Sequence, residues 1–205
     1  MSVLVNKHAP FFHDGDKKFS AVTAKGDIIG DFNFPDATKN KYTVLFFYPL
    51  DFTFVCPSEI IAFNNRLAAF EQRNVQLLAV SIDSAFTHAA WRNTPVEKGG
   101  IGSVGFTMIA DIKREIVHAY DVATDAGVAL RASFLIDQQG IVQHQVVNNL
   151  SLGRNIDEML RMVDALQFTE QHGEVCPASW QKGTEGMIPD AQGVARYLNK
   201  HSTNL

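Results

Sequence analysis

The chain has little cysteine and no long apolar run. Only two of its 205 residues are cysteine, Cys56 and Cys176, and they do not form a Cys-x-x-Cys pair. No stretch approaches the roughly 18 consecutive apolar residues of a membrane helix. The amino-terminal residues also lack a basic segment followed by a long apolar one. We therefore expect a cytoplasmic protein without a secretory signal, in which stable structural disulfides are uncommon.

Neither sign of charge is in large excess. The 18 lysines and arginines nearly balance the 22 aspartates and glutamates, for a net charge of -4. This composition gives no basic patch for nucleic acid, so we expect neither a nucleic-acid nor a membrane partner. Phenylalanine is abundant by contrast, with 15 residues, which indicates a large core or an aromatic subunit interface.

Strand-like and helix-like patterns alternate along the chain and predict an α/β fold with a mixed sheet. Turn signals at 14–16 and 25–27 suggest hairpins at the amino-terminal end. The predicted strands are 42–48, 75–81, 106–110, 133–136 and 141–147, and the predicted helices are 57–71, 84–92, one ending at residue 120, and 153–167.

The pattern weakens beyond residue 168, where glycines and prolines break any long element. We therefore expect a domain over 1–168 and an extended arm over 169–205. The residues from Gly100 to Gly105 match a dinucleotide-binding G-x-G-x-x-G, but no strand precedes them and no helix follows. The sequence thus predicts no nucleotide cofactor.

Cys56 lies where a strand gives way to a helix. The apolar run before it stops at Pro49, and Pro57 suits the first turn of a helix. The backbone N–H groups and dipole of a helix start favour a thiolate, which is the reactive form of cysteine. A buried, unreactive cysteine fits the same position equally well.

Cys176 lies in the weakly patterned arm, where it has little role in a core. It could reach another thiol after a local rearrangement, in its own chain or in a neighbouring one. A metal site would need His172 and Cys176 together with two remote ligands, and we do not favour it.

The segment Phe47–Glu59, FYPLDFTFVCPSE, resembles the peroxidatic motif of the typical two-cysteine peroxiredoxins, which include the C subunit of bacterial alkyl hydroperoxide reductase. Its core is Pro-x-x-x-Thr-x-x-Cys, formed by Pro49, Thr53 and Cys56. Further segments resemble the family in the same order: WRNTP at 91–95, GGIG at 99–102, RASFLID at 131–137 and GEVCPA at 173–178. Together these motifs span nearly the whole chain.

The resemblance implies a thioredoxin-like fold with a mixed central sheet, an amino-terminal hairpin extension and a carboxy-terminal arm. It also implies reduction of hydrogen peroxide and organic hydroperoxides, with no metal or organic cofactor. A thioredoxin-like or flavoprotein-linked reductant would recycle the enzyme. Homodimers assembling to a decamer are the implied quaternary structure.

The resemblance assigns roles to five residues. Cys56 would be the peroxidatic cysteine, and Cys176 of the partner subunit the resolving one, in the carboxy-terminal arm. Thr53 and Arg131 match the activating residues of the family. Pro49 matches the residue that shields the pocket.

The chemistry of peroxide cleavage suits these residue types. A guanidinium is always cationic and offers several fixed donors, so Arg131 can favour the thiolate and hold the peroxide. The Thr53 hydroxyl can accept from a peroxide proton and donate toward the sulfur. Glu59, in the first turn of the helix, could orient Arg131 or only complement the helix dipole. Arg154 and Trp91 are weaker candidates for the edge of the pocket.

Two other functions compete with a peroxidase. A thiol-disulfide oxidoreductase acting on proteins is disfavoured because the chain has no Cys-x-x-Cys. A chaperone that holds unfolded clients would not depend on Cys56, so protection of a heat-aggregating client by Cys56→Ser protein separates chaperoning from catalysis.

Overall fold

The computed structural model describes residues 2–205 and divides into two compact units between Ile156 and Asp157. The strands are β1 (Phe19–Val22), β2 (Ile28–Phe32), β3 (Tyr42–Phe47), β4 (Val75–Ser81), β5 (Thr107–Ala110), β6 (Arg131–Ile136) and β7 (Val142–Asn148). The helices are α1 (Phe34–Thr38), α2 (Cys56–Asn65), α3 (Leu67–Glu71), α4 (Ala85–Asn93), α5 (Glu115–Ala119), α6 (Ile156–His172) and α7 (Ala191–His201). In the described part of the chain, no helix is both long and apolar enough to cross a membrane.

The strands form one mixed sheet in the order β2-β1-β5-β4-β3-β6-β7. Strands β3, β4 and β5 run parallel to one another, whereas β1 pairs antiparallel with β2 and β5, and β6 with β3 and β7. This arrangement confirms the predicted α/β fold. The turn at 25–27 joins β1 and β2, as its sequence indicates, and Gly26 has the positive φ that glycine tolerates best.

Strand β3 lies between β4 and β6, and helices cover both faces of the sheet at this strand. Phe46 stacks on Phe63 of α2, with ring centroids 4.0 Å apart. Phe47 points to the opposite face, where it packs against Tyr120 and Phe134. The strict alternation of side chains along a strand explains this division. The stacking of Phe46 on Phe63 holds α2, and therefore Cys56 at its start, against the sheet.

Two local predictions were wrong, and one short helix was not predicted. The turn at 14–16 has no flanking strands, because the Asp14 side chain accepts from the next backbone N–H groups and closes the turn locally. The predicted helix 57–71 breaks at Arg66, whose φ of -108° is not helical, into α2 and α3. The short helix α1 was missed, although Asn33 caps it by accepting from Asp36 N.

The predicted arm differs most from the structure. Helix α6 continues through residue 168 to His172, and the Gly173 that follows it has a φ of 68°. The arm also contains α7, eleven residues long, where an extended segment was expected. Asp190 caps α7 by accepting from Gly193 N at 2.6 Å, and this local cap outweighs the nearby glycines and proline.

Candidate active site

The loop between β3 and α2 begins with a buried proline and ends with the candidate nucleophile. Pro49 has no N–H to offer a neighbouring strand, and β3 ends two residues before it. Phe52 then adopts a φ of 54°, a conformation that bulky residues rarely take. Its ring contacts Trp91, with centroids 5.8 Å apart. The loop therefore keeps a strained turn that its surroundings hold in place.

A buried polar network anchors this loop to the neighbouring strand and helix. The Asp51 carboxylate accepts from Tyr48 Oη at 2.7 Å and lies 2.7 Å from His88 Nδ1. The backbone N–H of Asp51 donates to Asp83 Oδ2 at 2.9 Å. Burial raises the pKa of Asp51, although its contact with His88 opposes that rise. These contacts tie the turn to α4 and to the residues that follow β3 and β4.

Cys56 is fully buried and is the first residue of α2. Its Sγ lies 3.0 Å from Thr53 Oγ1 and 3.4 Å from Nη1 of Arg131. Thr53 Oγ1 also lies 2.8 Å from the carbonyl oxygen of Leu50. Because a hydroxyl has one hydrogen, Thr53 can donate to Leu50 while accepting from a thiol, or donate to a thiolate.

Arg131, the first residue of β6, is buried with 4% of its side chain exposed. Its Nε donates to the Leu150 carbonyl at 2.7 Å, and its Nη1 donates to Glu59 Oε2 at 2.7 Å. Burial lowers the pKa of Arg131, but its hydrogen bonds and charge interactions with Cys56 and Glu59 outweigh burial and raise it. The guanidinium thus stays cationic beside the sulfur.

Glu59 joins two arginines and is only 2% exposed. Besides Arg131, it accepts from Nε, Nη2 and the backbone N–H of Arg154 at 2.8–2.9 Å. Burial alone would raise the pKa of Glu59, but Arg154 first and Arg131 second reverse the effect and lower it. The carboxylate therefore holds the guanidinium groups of Arg131 and Arg154 together.

Glu59→Gln is expected to destabilise the protein by about 3–5 kcal/mol near neutral pH, because it leaves two buried guanidinium groups without their counter-charge. The folded pKa of Glu59 lies below its ordinary value of 4.5, so its stabilisation is present above that pH and is lost as the pH falls further. Urea unfolding of both proteins at several pH values measures the difference.

The exposed Glu71→Gln is the matched control for that experiment. The gap between wild type and Glu59→Gln should narrow on acidification, whereas the control should stay within about 0.5 kcal/mol of wild type throughout. Equal stabilities of the two variants at neutral pH would contradict the role given to Glu59.

The structure brings five of the six candidate residues into one loop, helix start and strand start: Pro49, Thr53, Cys56, Glu59 and Arg131. Arg154, a weaker candidate on sequence, is central, since it also donates to the carbonyl of Ala132 at 2.6 Å. Trp91 is a core aromatic instead. Its ring packs against Tyr48, and its Nε1 donates to the Gly99 carbonyl.

The sixth candidate, Cys176, belongs to the second compact unit. Its thiol is half-buried and lies 3.6 Å from the Ala165 carbonyl of α6. The flanking Val175 pairs with Met187 through two backbone hydrogen bonds of 2.9 Å. Among residues 2–205, no cluster of three His, Cys, Asp or Glu side chains could hold a metal ion.

Comparison with known proteins identifies related chains over the full length. Residues 16–145 match the model of the AhpC/TSA family, and residues 165–200 match the C-terminal domain of 1-Cys peroxiredoxin. Alkyl hydroperoxide reductase C of Buchnera aphidicola is 53% identical over 98% of each chain, and that of Helicobacter pylori is 51% identical over 99% of this chain and all of its own. Reduced 2-Cys peroxiredoxin of Plasmodium vivax has a TM-score of 0.91 and 50% identity, covering 97% of this chain and all of that one.

A buried thiol at a helix start, beside a guanidinium in a thioredoxin-like fold, defines a thiol-dependent peroxidase. The sheet, the site and the full-length matches agree on that class. The chain belongs to the AhpC/TSA family of peroxiredoxins. This confirms the resemblance that the sequence motifs indicate.

Proposed function

We propose that Cys56 reduces hydrogen peroxide and organic hydroperoxides. The observation that carries this proposal is the placement of Cys56 Sγ within 3.0 Å of Thr53 Oγ1 and 3.4 Å of Arg131 Nη1, at a buried helix start. A nearby cation and a helix start are surroundings typical of reactive cysteines, and guanidinium and hydroxyl groups can stabilise charge that develops on a peroxide.

The reaction is a displacement at oxygen. The Cys56 thiolate attacks one peroxide oxygen, an S–O bond forms, and the O–O bond breaks. The second oxygen leaves with the bonding electrons and takes a proton, giving water or an alcohol. Cys56 ends as a sulfenic acid, the first step of the cysteine oxidation ladder. The electrons come from the thiolate, so the proposal includes neither a metal nor an organic cofactor.

The neighbouring residues supply position and charge. Arg131 stabilises the thiolate and the negative charge that spreads along the O–O bond. The Thr53 hydroxyl accepts a hydrogen bond from the peroxide O–H while it donates to the Leu50 carbonyl, so the attacked oxygen faces the sulfur. Glu59 orients Arg131, and Pro49 shields the thiolate from water at the end of β3.

The second half of the cycle uses Cys176 of the partner subunit. Its thiol attacks the Cys56 sulfenic acid, a disulfide forms, and the oxygen leaves as water. A thioredoxin-like or flavoprotein-linked dithiol then reduces the disulfide. In this proposal the 1–168 segment is the peroxidase domain, the 169–205 segment carries the resolving cysteine, and the enzyme works in the cytoplasm.

Steady-state turnover tests the function directly. The protein should consume both hydrogen peroxide and tert-butyl hydroperoxide when it is coupled to a thioredoxin system or to a flavoprotein disulfide reductase. Reductant oxidation should match peroxide loss one to one. Failure to reduce either peroxide, by a protein whose thiols titrate as free, would contradict the proposal.

The oxidised protein is expected to migrate as a disulfide-linked dimer on non-reducing gels. Cys56 and Cys176 belong to different compact units, and the proposal pairs them between subunits. Each single cysteine-to-serine variant should remain monomeric on the same gel. A monomeric oxidised band with both thiols blocked to alkylation would show an intrachain bridge instead.

The reduced protein is expected to form a ring of five dimers. Phe86, at the start of α4, is 75% exposed, and Phe54, two residues before Cys56, is 97% exposed. Aromatic side chains are enriched in subunit interfaces, so these two are candidates for the contact between dimers. A folded α2 start would support the contact, and disulfide formation would loosen it.

Light scattering of the reduced protein at micromolar concentration measures this assembly. Phe86→Glu should give dimers, whereas Val3→Glu, at another exposed apolar position, should leave the decamer intact. Reduced wild-type protein that remains dimeric at that concentration would contradict the prediction.

A further inference from the structure

The second compact unit holds Cys176 against one face of α6. The Cys176 thiol lies 3.6 Å from the Ala165 carbonyl, within reach of a weak S–H···O contact. Arg161 lies one helical turn before Ala165, and residues four apart share a helix face. The cation of Arg161 and the thiol of Cys176 therefore lie on the same side of α6.

Arg161 also contacts the chain that follows Cys176. Its Nη1 donates to the Trp180 carbonyl at 2.7 Å. The Trp180 N–H donates to the Pro177 carbonyl at 3.1 Å, which closes a turn directly after Cys176. One guanidinium thus connects α6 to the segment that carries the thiol.

Glu158 fixes the orientation of this guanidinium. It accepts from Nε of Arg161 at 2.6 Å and from Nη2 at 2.7 Å, the two-point geometry that suits an arginine and a carboxylate. Nη2 also contacts Met162 Sδ at 3.1 Å. Because the Glu158 side chain is 48% exposed, water screens its charge and the cation is not cancelled at the thiol.

Two opposing effects act on the thiol. Burial raises the pKa of Cys176, and the positive charge of Arg161 lowers it, with burial the larger of the two. Removing the charge would leave burial unopposed. The thiolate of Cys176 would then form less readily at neutral pH.

We propose that Arg161 is a positioning residue for the resolving half of the cycle. It holds the Cys176 segment on α6 and favours the Cys176 thiolate. The role within the cycle rests on the proposed function. In that cycle the thiolate attacks the Cys56 sulfur, the S–S bond forms, the S–O bond breaks, and the departing hydroxide takes a proton to become water. The positive charge of Arg161 favours the Cys176 thiolate and is not itself changed in the reaction.

Alkylation of Cys176 tests this role without any peroxidase turnover. In the Cys56→Ser protein Cys176 is the only thiol, so iodoacetamide reports its reactivity alone. Rates are measured from about pH 6 to 10 for that protein and for the same protein with Arg161→Met, Arg161→Lys or Arg196→Met. Arg196 is an exposed cation of α7 in the same unit and serves as the matched control.

Arg161→Met should slow alkylation near pH 7.5 by roughly three- to tenfold, move the midpoint of the pH profile upward and leave its alkaline plateau unchanged. Arg161→Lys should restore most of the rate, since it keeps the charge. Arg196→Met should match the parent. An unchanged midpoint with an altered plateau would show a merely structural role and would overturn the proposal.

Loss of peroxidase activity in wild-type protein does not affect this readout, because the assay needs only one thiol. A protein that fails the turnover test but shows the midpoint shift would retain the Arg161 contact and lose the proposed function. A protein that passes the turnover test but shows no midpoint shift would support the proposed function and contradict the role given to Arg161.

Discussion

Cys56→Ser is expected to abolish peroxide reduction, lowering the rate by a factor on the order of 10⁴ or more, as removal of a catalytic nucleophile does in other enzymes. Serine keeps the size of the side chain and its place at the start of α2. It lacks a low-energy anion at neutral pH, so neither Arg131 nor the helix start can generate a nucleophile. Stopped-flow mixing with peroxide measures the loss.

Cys176→Ser is the matched control for this experiment. It keeps Cys56 and its surroundings and removes only the resolving thiol. It should therefore show one rapid turnover at the wild-type rate, followed by failure to recycle with a dithiol reductant. Rapid and repeated peroxide consumption by Cys56→Ser protein would exclude Cys56 as the nucleophile.

Arg131→Met should slow the peroxide step by about 10²–10³-fold, the typical cost of losing one preorganised donor to developing charge. Methionine fills much the same volume but cannot donate to Cys56 or to Glu59. The rate of Arg131→Lys should fall between those of wild type and Arg131→Met. Lysine keeps the positive charge but loses the planar group that donates to both Glu59 and the Leu150 carbonyl.

Single-turnover rates at several peroxide concentrations measure this effect, and Lys98→Met, which removes an exposed cation, is the control. Because Arg131 is buried, urea unfolding must accompany the kinetics. A stable, folded Arg131→Met protein with the wild-type rate would show that the 3.4 Å contact to Cys56 has no part in catalysis.

The strands were predictable because their signals are local. Within β3 the residues from Val44 to Phe47 are all apolar, and the helix start after the strand is marked by Cys56-Pro57. Burial of Arg131 could be anticipated from the apolar strand that follows it. The motif around Cys56 then limited the chemistry to a few residues close in sequence.

The rest of the site depends on contacts between distant positions. Glu59 and Arg154 are 95 residues apart and meet only because β6, β7 and the loop after β7 bring the chain back to α2. The contact between Asp51 and His88 likewise requires the loop and α4 to fold over the sheet. Periodicity contains no signal for either pair, so both had to come from the structure.

Helix α7 was missed for a different reason. Its amino-terminal cap is Asp190, but the preceding Gly186 and Pro189 indicate a break. Gly193 is buried against Ile188, where an added Cβ would approach the Ile188 carbonyl to 2.4 Å. That close approach explains why a helix here contains glycine.

The most direct test of the central claim is the product of one turnover at Cys56. Cys176→Ser protein is mixed with one equivalent of hydrogen peroxide in the presence of a dimedone-type probe for sulfenic acid, and the adduct is located by mass spectrometry. We expect one adduct per chain, at Cys56, in an amount that matches the peroxide consumed. Peroxide loss without an adduct at Cys56, or with oxidation at methionine instead, would contradict the account.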